Sequence, residues 1–244
     1  MPIALPPTCC ISVNCVVLGF DSKKLNVLLE QREYLIDGKK VDDHMLPGGL
    51  MTDNEDLDEA ATRLLHEKAG MRNLKMFQFK AYGSRSRIKG RNDIEWMKQQ
   101  LGVEIVNPLT IGYASVGKIG RKLNLHNAPK GISWFPVEEA LKMPLAFDHA
   151  ILIQDAIKML QYSIENDPII VFNLMPLKFT ALQLRTLYEC IYRKELDVRN
   201  FKKKMKQYEY VVPLEEVEQG VAHRAARYYR FDRVKYKKYR RGMD

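Results

Sequence analysis

Residues 48–71, GGLMTDNEDLDEAATRLLHEKAGM, carry the clearest fold signal in the first half of the chain. Side chains that suit a buried helical face recur at i, i+3, i+4 and i+7 from Leu57, and Gly70 ends the run. This pattern predicts a helix that begins at Asp53 or Asn54, either of which is able to cap it, and ends just before the glycine.

Seven residues of this stretch stand at fixed offsets from one another: Gly49, Glu55, Arg63, Leu65, Glu67, Gly70 and Met71. Their identities and spacing resemble the Nudix box. Leu46-Pro47-Gly48 just before it and Trp134-Phe135-Pro136 farther along the chain strengthen the resemblance. The resemblance implies an α/β fold for residues 8–150, the α/β/α sandwich of that family.

Two positions of the box differ from its catalytic members. Those members have glutamates at three positions of one helical face, and the carboxylates hold the divalent cation that activates water against a diphosphate. Here the three positions are Leu64, Glu67 and Lys68, so their formal charge is 0 instead of −3. An ammonium ~4 Å from a metal ion repels it by several kcal/mol at a surface-like dielectric. We therefore expect no catalytic residues, no required cofactor, weak residual Mg²⁺ binding at most, and absent or feeble hydrolysis.

The box then has two alternative uses. It is either a folding scaffold in which Arg63 and Glu67 form a surface ion pair, or one wall of a cleft that binds a nucleotide-like or sugar-like effector without cleaving it. Arginines near strand ends offer donors that match phosphate geometry, and this favours the second use. The candidate effector-binding residues are Arg32, Gly48, Gly49, Arg63, Glu67, Arg85 and Arg87.

The flanking segments predict a sheet with helices around it. Strands are expected at 11–20 and 25–32 as a hairpin, followed by a polar loop up to the box, and then at 74–83, 109–117 and 131–135. A further helix is expected at 148–163, and residues 85–102 form a basic, partly helical insertion. The polar run ENDP at 165–168 marks a boundary between an effector-binding domain at 1–165 and a second domain at 166–244.

The excess positive charge lies in the second half. The whole chain has a formal net charge of +9, and residues 173–244, with 18 Lys/Arg and 9 Asp/Glu, account for all of it. A neutral segment joined to a strongly basic one is typical of a module that binds a polyanion and is attached to a module with another task. The alternative is a solvated basic surface without a partner.

Residues 180–207 predict two helices joined by a short turn. Thr180 and Gln183 have the form of a capping box, followed by one apolar stripe of Leu184, Leu187, Tyr188 and Ile191. Asp197 is placed to cap a second helix at 198–207 that turns Arg199, Lys202, Lys203 and Lys206 to one side. Strands at 208–212 and 226–231 then form a β-wing. This order is typical of a winged helix-turn-helix with a recognition helix in the major groove.

The second half closely resembles the winged-helix domain of the Nudix-related transcriptional regulators, and the run Leu145-Ala-Phe-Asp-His149 is similar to theirs too. The resemblance implies a homodimer that binds a palindromic DNA operator and responds to an ADP-ribose-like nucleotide sugar or to a pentose. The candidate DNA-binding residues are Thr180, Arg199, Asn200, Lys202, Lys203, Lys206, His223, Arg224 and Arg227.

Composition excludes other classes. With 46% apolar and 28% charged residues, 244 residues are enough for a packed core, so disorder is not the main state. The uncharged first residues contain three prolines, and we expect neither a signal peptide nor a membrane span. Four cysteines without paired spacing indicate a reduced, cytoplasmic protein. Two other functions stay open: an active Nudix hydrolase with a nucleic-acid-binding tail, and a protein-interaction adaptor.

Overall fold

The computed structural model describes residues 10–84, 87–88, 90–101, 109–120, 123–220 and 225–241. The chain divides into two compact units. The first holds the described residues up to Met159 except 20–25, and the second holds 20–25 and the described residues from Leu160 onward. No helix within the described ranges is both long enough and apolar enough to cross a membrane.

The first unit is built on a seven-stranded sheet in the order β3-β2-β1-β6-β5, with β4 paired to β1 and β7 paired to β2. Its elements, in chain order, are β1 Ile11–Phe20, β2 Leu25–Ile36, β3 Lys39–Met45, β4 Gly48–Leu50, α1 Leu57–Ala69, β5 Phe77–Tyr82, α2 Arg91–Leu101, β6 Leu109–Lys118, β7 Ile132–Pro136, α3 Val137–Ala140 and the part of α4 His149–Asn166 that precedes Leu160. The five strands and the helices α1 and α4 are confirmed to within a few residues, and α2 is the helical part of the expected insertion.

Two details of the first unit correct the prediction. Residues 39–45, expected in a polar loop, form β3, whose charged side chains are tolerated because the strand lies at an edge of the sheet. Helix α1 is capped by Asp56, not by Asp53 or Asn54. Asp56 accepts a hydrogen bond from the amide of Glu59, and Glu59 accepts one from the amide of Asp56, so a complete capping box fixes this start.

Helix α1 packs its apolar side on the sheet. Ala60, Ala61, Leu64 and Leu65 are buried in one core with Val13 and other residues of β1, β2 and β6. The helix ends at Gly70 in a left-handed conformation (φ 65°), and a Cβ there would lie 2.5 Å from the carbonyl oxygen of Asn127. Only glycine meets both conditions, so this end of the box is fixed by backbone geometry.

The second unit is a helix-turn-helix followed by a small sheet in the order β8-β10-β9. Its elements are α5 Ile169–Leu174, β8 Phe179–Thr180, α6 Ala181–Tyr192, α7 Val198–Lys206, β9 Val211–Val217, β10 Arg227–Phe231 and α8 Arg233–Arg241. The capping box at Thr180 and the cap at Asp197 are confirmed.

The first wing strand begins later than predicted. It was expected at 208–212 and lies at Val211–Val217, because Tyr208 and Tyr210 stack on each other at 5.4 Å and belong to the aromatic core instead. The strand contains Pro213, which is tolerated because β9 is an edge strand. Helix α8 was not predicted.

Candidate effector cleft and nucleic-acid interface

The position of the first missing glutamate is part of the hydrophobic core. Leu64 is 3% exposed, and a Cβ on Gly49 would lie 2.7 Å from its Cδ2 atom. A carboxylate in this place would lose its hydration without gaining a charged partner, which is costly. The leucine therefore stabilises the contact between α1 and β4 but leaves no oxygen ligand on this turn of the helix.

The second missing glutamate is replaced by a cation that already has a partner. The Nζ atom of Lys68 lies 3.2 Å from Oε1 of Glu30 on β2. Both side chains are partly exposed, so the pair contributes little to stability, but it places a positive charge where the Nudix box of catalytic members has a carboxylate. A divalent cation approaching Glu30 would meet this ammonium first.

The carboxylates that remain in the box are bound to Arg63. Its Nε and Nη2 atoms lie 2.7 and 2.5 Å from the two oxygens of Glu55, and its Nη1 lies 3.1 Å from Glu67. Nη2 also donates to the carbonyl of Leu50 at 3.0 Å. The hydrogen bond from Arg63 lowers the pKa of Glu55 to about 2. The surface pair expected between Arg63 and Glu67 is thus present, as one part of a larger network.

These residues do not fit the metal ion of the catalytic members. Of the three positions on the helix face, one is apolar and buried, one is an ammonium, and Glu67 is paired with an arginine. Within the described residues, no group of three or more His, Cys, Asp or Glu side chains is arranged to hold a metal. These residues therefore do not support a metal-assisted catalytic step.

A cleft next to this helix is the candidate effector site. Its empty volume, which includes the mouth open to solvent, is about 630 Å³. It is lined by Ser12, Asn14, Met45, Gly48, Gly49, Leu50, Arg87, Ile88, Trp96, Met97, Thr110, Phe147 and His149. The lining is mostly apolar with a few polar groups, which is the usual composition of a small-molecule pocket.

The two predicted glycines form the floor of the cleft. Gly48 pairs with Asn14 and Gly49 with Val13 in the ladder between β4 and β1. A Cβ on Gly48 would lie 2.0 Å from Oδ1 of Asn14, so β4 packs this closely on Asn14 only because residue 48 has no side chain. Asn14 was missed by sequence reasoning, although a single amide inside the apolar run ISVNCVV is a signal for a buried polar role.

Arg87 lies in the cleft wall and its donors are occupied. Its Nε and Nη2 atoms bind the two oxygens of Asp148 at 2.7 and 2.8 Å, and Nη1 donates to the carbonyl of Tyr82 at 2.8 Å. Its side chain is 6% exposed. The pair ties the loop after β5 to the start of α4, and a phosphate bound here would have to compete with Asp148.

Arg32 lies deeper than predicted. Its side chain is 2% exposed, and it binds Asp43 through Nε and Nη2 at 2.7 and 2.6 Å and Asp93 through Nη2 at 2.8 Å. Since Asp93 lies on α2, this arginine fastens the inserted helix to the sheet. The guanidinium also lies 5.2 Å from the ring of Trp96 and 5.1 Å from that of Phe147, both of which line the cleft.

His149 is a buried polar residue of the cleft wall, with 2% of its surface exposed. Its Nδ1 accepts a hydrogen bond from the amide of Leu46 at 3.0 Å, so the ring is neutral at this nitrogen. Burial lowers the pKa of His149 to about 3, and the charges of Arg32 and Arg87 act in the same direction. The histidine of the Leu145–His149 run thus joins the start of α4 to the chain between β3 and β4.

The described part of the candidate nucleic-acid interface lies on α7 and the wing. Arg199, Asn200, Lys202, Lys203 and Lys206 are exposed on α7, and Arg227 is exposed on β10. Met205 is buried on the opposite side of α7. Thr180 is 2% exposed, and its hydroxyl accepts a hydrogen bond from the amide of Gln183. The DNA contact predicted for Thr180 therefore stays a prediction, with its oxygen already used as a helix cap.

Three predicted site residues lie outside the described residues: Arg85, His223 and Arg224. Their roles stay predictions. Of the others in the first unit, Gly48, Gly49 and Arg87 line the cleft, whereas Arg32, Arg63 and Glu67 are not among the described residues of its lining. Those of the second unit lie on β8, α7 and β10.

Two family models match the chain. The one described as NUDIX domain matches residues 10–156, and the one described as NrtR DNA-binding winged helix domain matches residues 171–231. The chain is 27% identical over 229 residues to the ADPR responsive transcriptional repressor NtrR of Acinetobacter baylyi, an alignment that covers 92% of this chain and 83% of that protein.

Two solved structures have a similar fold. One is NrtR of Shewanella oneidensis complexed with a 27mer DNA, with a TM-score of 0.65, 20% identity, and coverage of 93% of this chain and 95% of that one. The other is a MutT/nudix family protein from Enterococcus faecalis, with a TM-score of 0.62, 19% identity, and coverage of 95% and 90%. The expected fold, a Nudix-type sandwich followed by a winged helix, is confirmed.

Proposed function

This chain belongs to the Nudix family and has an NrtR DNA-binding winged helix domain after its Nudix domain, and from this we propose that it is a DNA-binding transcriptional repressor that responds to ADP-ribose. The effector is taken from the name of the Acinetobacter baylyi relative. The observation that supports the proposal best is the state of the Nudix helix, where a lysine paired with Glu30 and a buried leucine replace two metal-binding carboxylates.

A Nudix domain without its metal ligands still has a binding cleft. Its lining includes Gly48 and Gly49 of β4 and the polar residues Ser12, Asn14 and Thr110. A ligand seated here would meet hydrogen-bonding groups that fix its orientation, but no activated water. The cleft is thus suited to sense a nucleotide sugar and not to cleave it.

The winged helix supplies the second half of the function. The exposed cations of α7 fit the phosphates of a duplex, as expected for a recognition helix in the major groove. We propose a homodimer that places two copies of α7 on a palindromic operator about one helical turn apart. The effector controls repression only if it binds one dimer geometry more tightly than the other.

The proposal is tested with DNA from upstream of the protein's own gene. We expect the full chain to shift this duplex in a gel and ADP-ribose to change its affinity. Free ribose and AMP are the matched ligands, since each holds only a part of ADP-ribose. If ribose alone reproduces the effect, the effector is a sugar. If no ligand changes the affinity, the sensing half of the proposal is wrong.

The alternative function is an active hydrolase with a basic tail. Incubation with ADP-ribose and Mg²⁺ or Mn²⁺ distinguishes the two, because only a hydrolase releases AMP. We expect no turnover above the metal-only control. A rate on the order of 1 s⁻¹ or more, typical of an enzyme, would establish the alternative and refute the proposed loss of catalysis.

A further inference from the structure

Helix α8, Arg233–Arg241, lies beyond the residues that the winged helix family model matches. Its sequence, RVKYKKYRR, has six cations and no carboxylate. All six are exposed: Arg233, Lys235, Lys237, Lys238, Arg240 and Arg241. Like charges at i, i+4 destabilise a helix, and a helix of nine residues is not stable alone, so tertiary contacts must hold α8 in place.

Two tyrosines fix the helix to the aromatic core of the second unit. The ring of Tyr236, which is 4% exposed, lies 5.0 Å from that of Tyr210 and 5.4 Å from that of Phe231. Tyr239 lies 5.3 Å from Tyr210. The hydroxyl of Tyr236 also donates a hydrogen bond to Asp167. These contacts hold the helix in one orientation with its cations outward.

The start of α8 is fixed separately. The side chain of Asp232 accepts hydrogen bonds from the amides of Val234 and Lys235 at 3.0 and 3.1 Å, and these bonds lower its pKa. The amide of Asp232 donates to the carbonyl of Tyr210 at 2.8 Å. Both the first turn and the buried side of this helix are therefore ordered before any partner binds.

The charge of α8 is not neutralised by neighbouring residues. Arg240 donates to the carbonyl of Asn166 at 3.0 Å and lies 4.0 Å from Asp167. Across the ranges that the structure describes, no carboxylate pairs with the other five cations. Three of them, Arg233, Lys237 and Arg241, stand at i, i+4 and i+8 and so form a stripe ~12 Å long. A fixed row of unpaired cations of this kind suits a polyanion.

We propose that α8 is a phosphate-binding element that adds to α7 when the protein binds duplex DNA, an inference that rests on the proposed DNA-binding function. The two helices are linked through a short aromatic path in the same unit. The amide of Tyr208 bonds the carbonyl of Met205 in α7, and its ring stacks on Tyr210, which contacts both tyrosines of α8. Contacts of Lys and Arg with phosphates carry no sequence information, so α8 adds affinity for any duplex sequence.

The experiment neutralises the stripe in the full chain as R233Q/K237Q/R241Q. Binding to two labelled duplexes, the DNA upstream of the protein's own gene and a random sequence of the same length, is measured over a range of salt concentrations. Each lost phosphate contact lowers the slope of log K against log salt by about 0.9. We expect the slope to fall by about 2 to 3 on both duplexes, with a urea unfolding midpoint no lower than that of the wild type.

The matched control is K39Q/K118Q/K130Q, which removes three exposed lysines of the first unit and changes the net charge equally. A slope that falls only in the α8 variant supports the proposal. An unchanged slope, or an equal fall in both variants, overturns it. If the α8 proposal is overturned in this way, the wild type still tests the proposed function. DNA binding that weakens when the cations of α7 are neutralised would leave that function intact. A wild type that binds neither duplex would refute both proposals.

Discussion

The arginines of the effector domain and the cations of α7 have the same chemistry and opposite surroundings. Arg32, Arg63 and Arg87 each bind a carboxylate through two nitrogens, and Arg32 and Arg87 are almost fully buried. On α7, Arg199, Lys202, Lys203 and Lys206 are exposed, and within the described chain no carboxylate pairs with them. Paired cations order the fold locally, whereas unpaired ones produce the field that attracts a polyanion.

This difference explains how one chain has two surfaces with different binding chemistry. Each of these three arginines has a carboxylate oxygen within 3 Å, so its positive charge is neutralised locally. Residues 173–244 keep a net positive charge because they contain 18 Lys/Arg and only 9 Asp/Glu. Two of these carboxylates, Glu216 and Asp197, bind Lys178 and the first turn of α7. An effector is then recognised mainly by shape and hydrogen bonds, and DNA mainly by charge.

Removal of Arg32 should cause the largest loss of stability among the changes to paired cations. Arg32→Ala leaves Asp43 and Asp93 buried without their partner, and loss of one member of a buried pair typically costs 3–5 kcal/mol, so we expect about that loss in the free energy of unfolding. Urea unfolding followed by tryptophan fluorescence measures it, because both tryptophans, Trp96 and Trp134, lie in the first unit.

The control for Arg32 is Lys40→Ala on the adjoining strand. Lys40 lies 3.0 Å from Glu33, but both side chains are about half exposed. We expect no measurable change in the urea midpoint of this variant. If Arg32→Ala also unfolds at the wild-type midpoint, Arg32 is not structural and is available as the phosphate-binding residue that the sequence suggested.

A second prediction concerns the buried group that is kept uncharged. Since the folded pKa of His149 is lowered to about 3 and its ordinary value is near 6.5, only the unfolded chain takes up a proton between these values. The contribution of His149 to the free energy of unfolding is therefore complete above pH 6.5. It decreases as the pH falls below this value, by about 1.4 kcal/mol per pH unit. We expect the first unit to be about 2 kcal/mol less stable at pH 5 than at pH 7.

His149→Asn tests this assignment. An asparagine oxygen can still accept the hydrogen bond from the amide of Leu46, but it does not titrate. Urea unfolding at a series of pH values should therefore show a flatter profile between pH 6.5 and 5 than in the wild type. Equal profiles would mean that other groups determine the acid sensitivity.

The pairing of Lys68 with Glu30 gives a third, smaller prediction. Lys68→Glu replaces the ammonium with a carboxylate beside Glu30 and Glu67, which restores the negative charge of the helix face. We expect Mn²⁺ to stabilise this variant by about 1 kcal/mol when its concentration is about five times the dissociation constant. Lys68→Gln removes the ammonium without adding a ligand, and an equal stabilisation in that variant would show that the lysine is not what excludes the metal.

Elements with local signals could be predicted from the sequence. Helices α1, α6 and α7 followed from apolar spacing and caps, because both are local. The start of α1 was misplaced although Asp56 and Glu59 have the spacing of a capping box, a signal that the neighbouring Asp53 and Asn54 obscured. Charged β3 was taken for a loop because an edge strand needs no apolar face on its exposed side.

The carboxylate partners of the arginines could not be predicted from sequence patterns. Arg32 meets Asp93 across 61 positions and Arg87 meets Asp148 across another 61, and periodicity contains no information on such contacts. Without the pairs, arginines near strand ends suggest phosphate donors. Helix α8 was missed for a related reason, since its two anchoring tyrosines give no regular apolar stripe and their partners, Tyr210 and Phe231, lie outside the helix.

The last prediction concerns the salt dependence of DNA binding, which tests directly whether the unpaired cations of α7 act individually. Lys203→Ala on α7 removes one of several phosphate contacts, so the slope of log K against log salt should fall by about 0.9 while the affinity at any single salt concentration changes only modestly. Lys158→Ala is the matched change in the first unit, because Lys158 is also exposed but lies 3.6 Å from Asp155. Its slope should stay at the wild-type value. If the two variants lose equal slope, DNA responds to net charge alone, and the distinction between paired and unpaired cations does not govern binding.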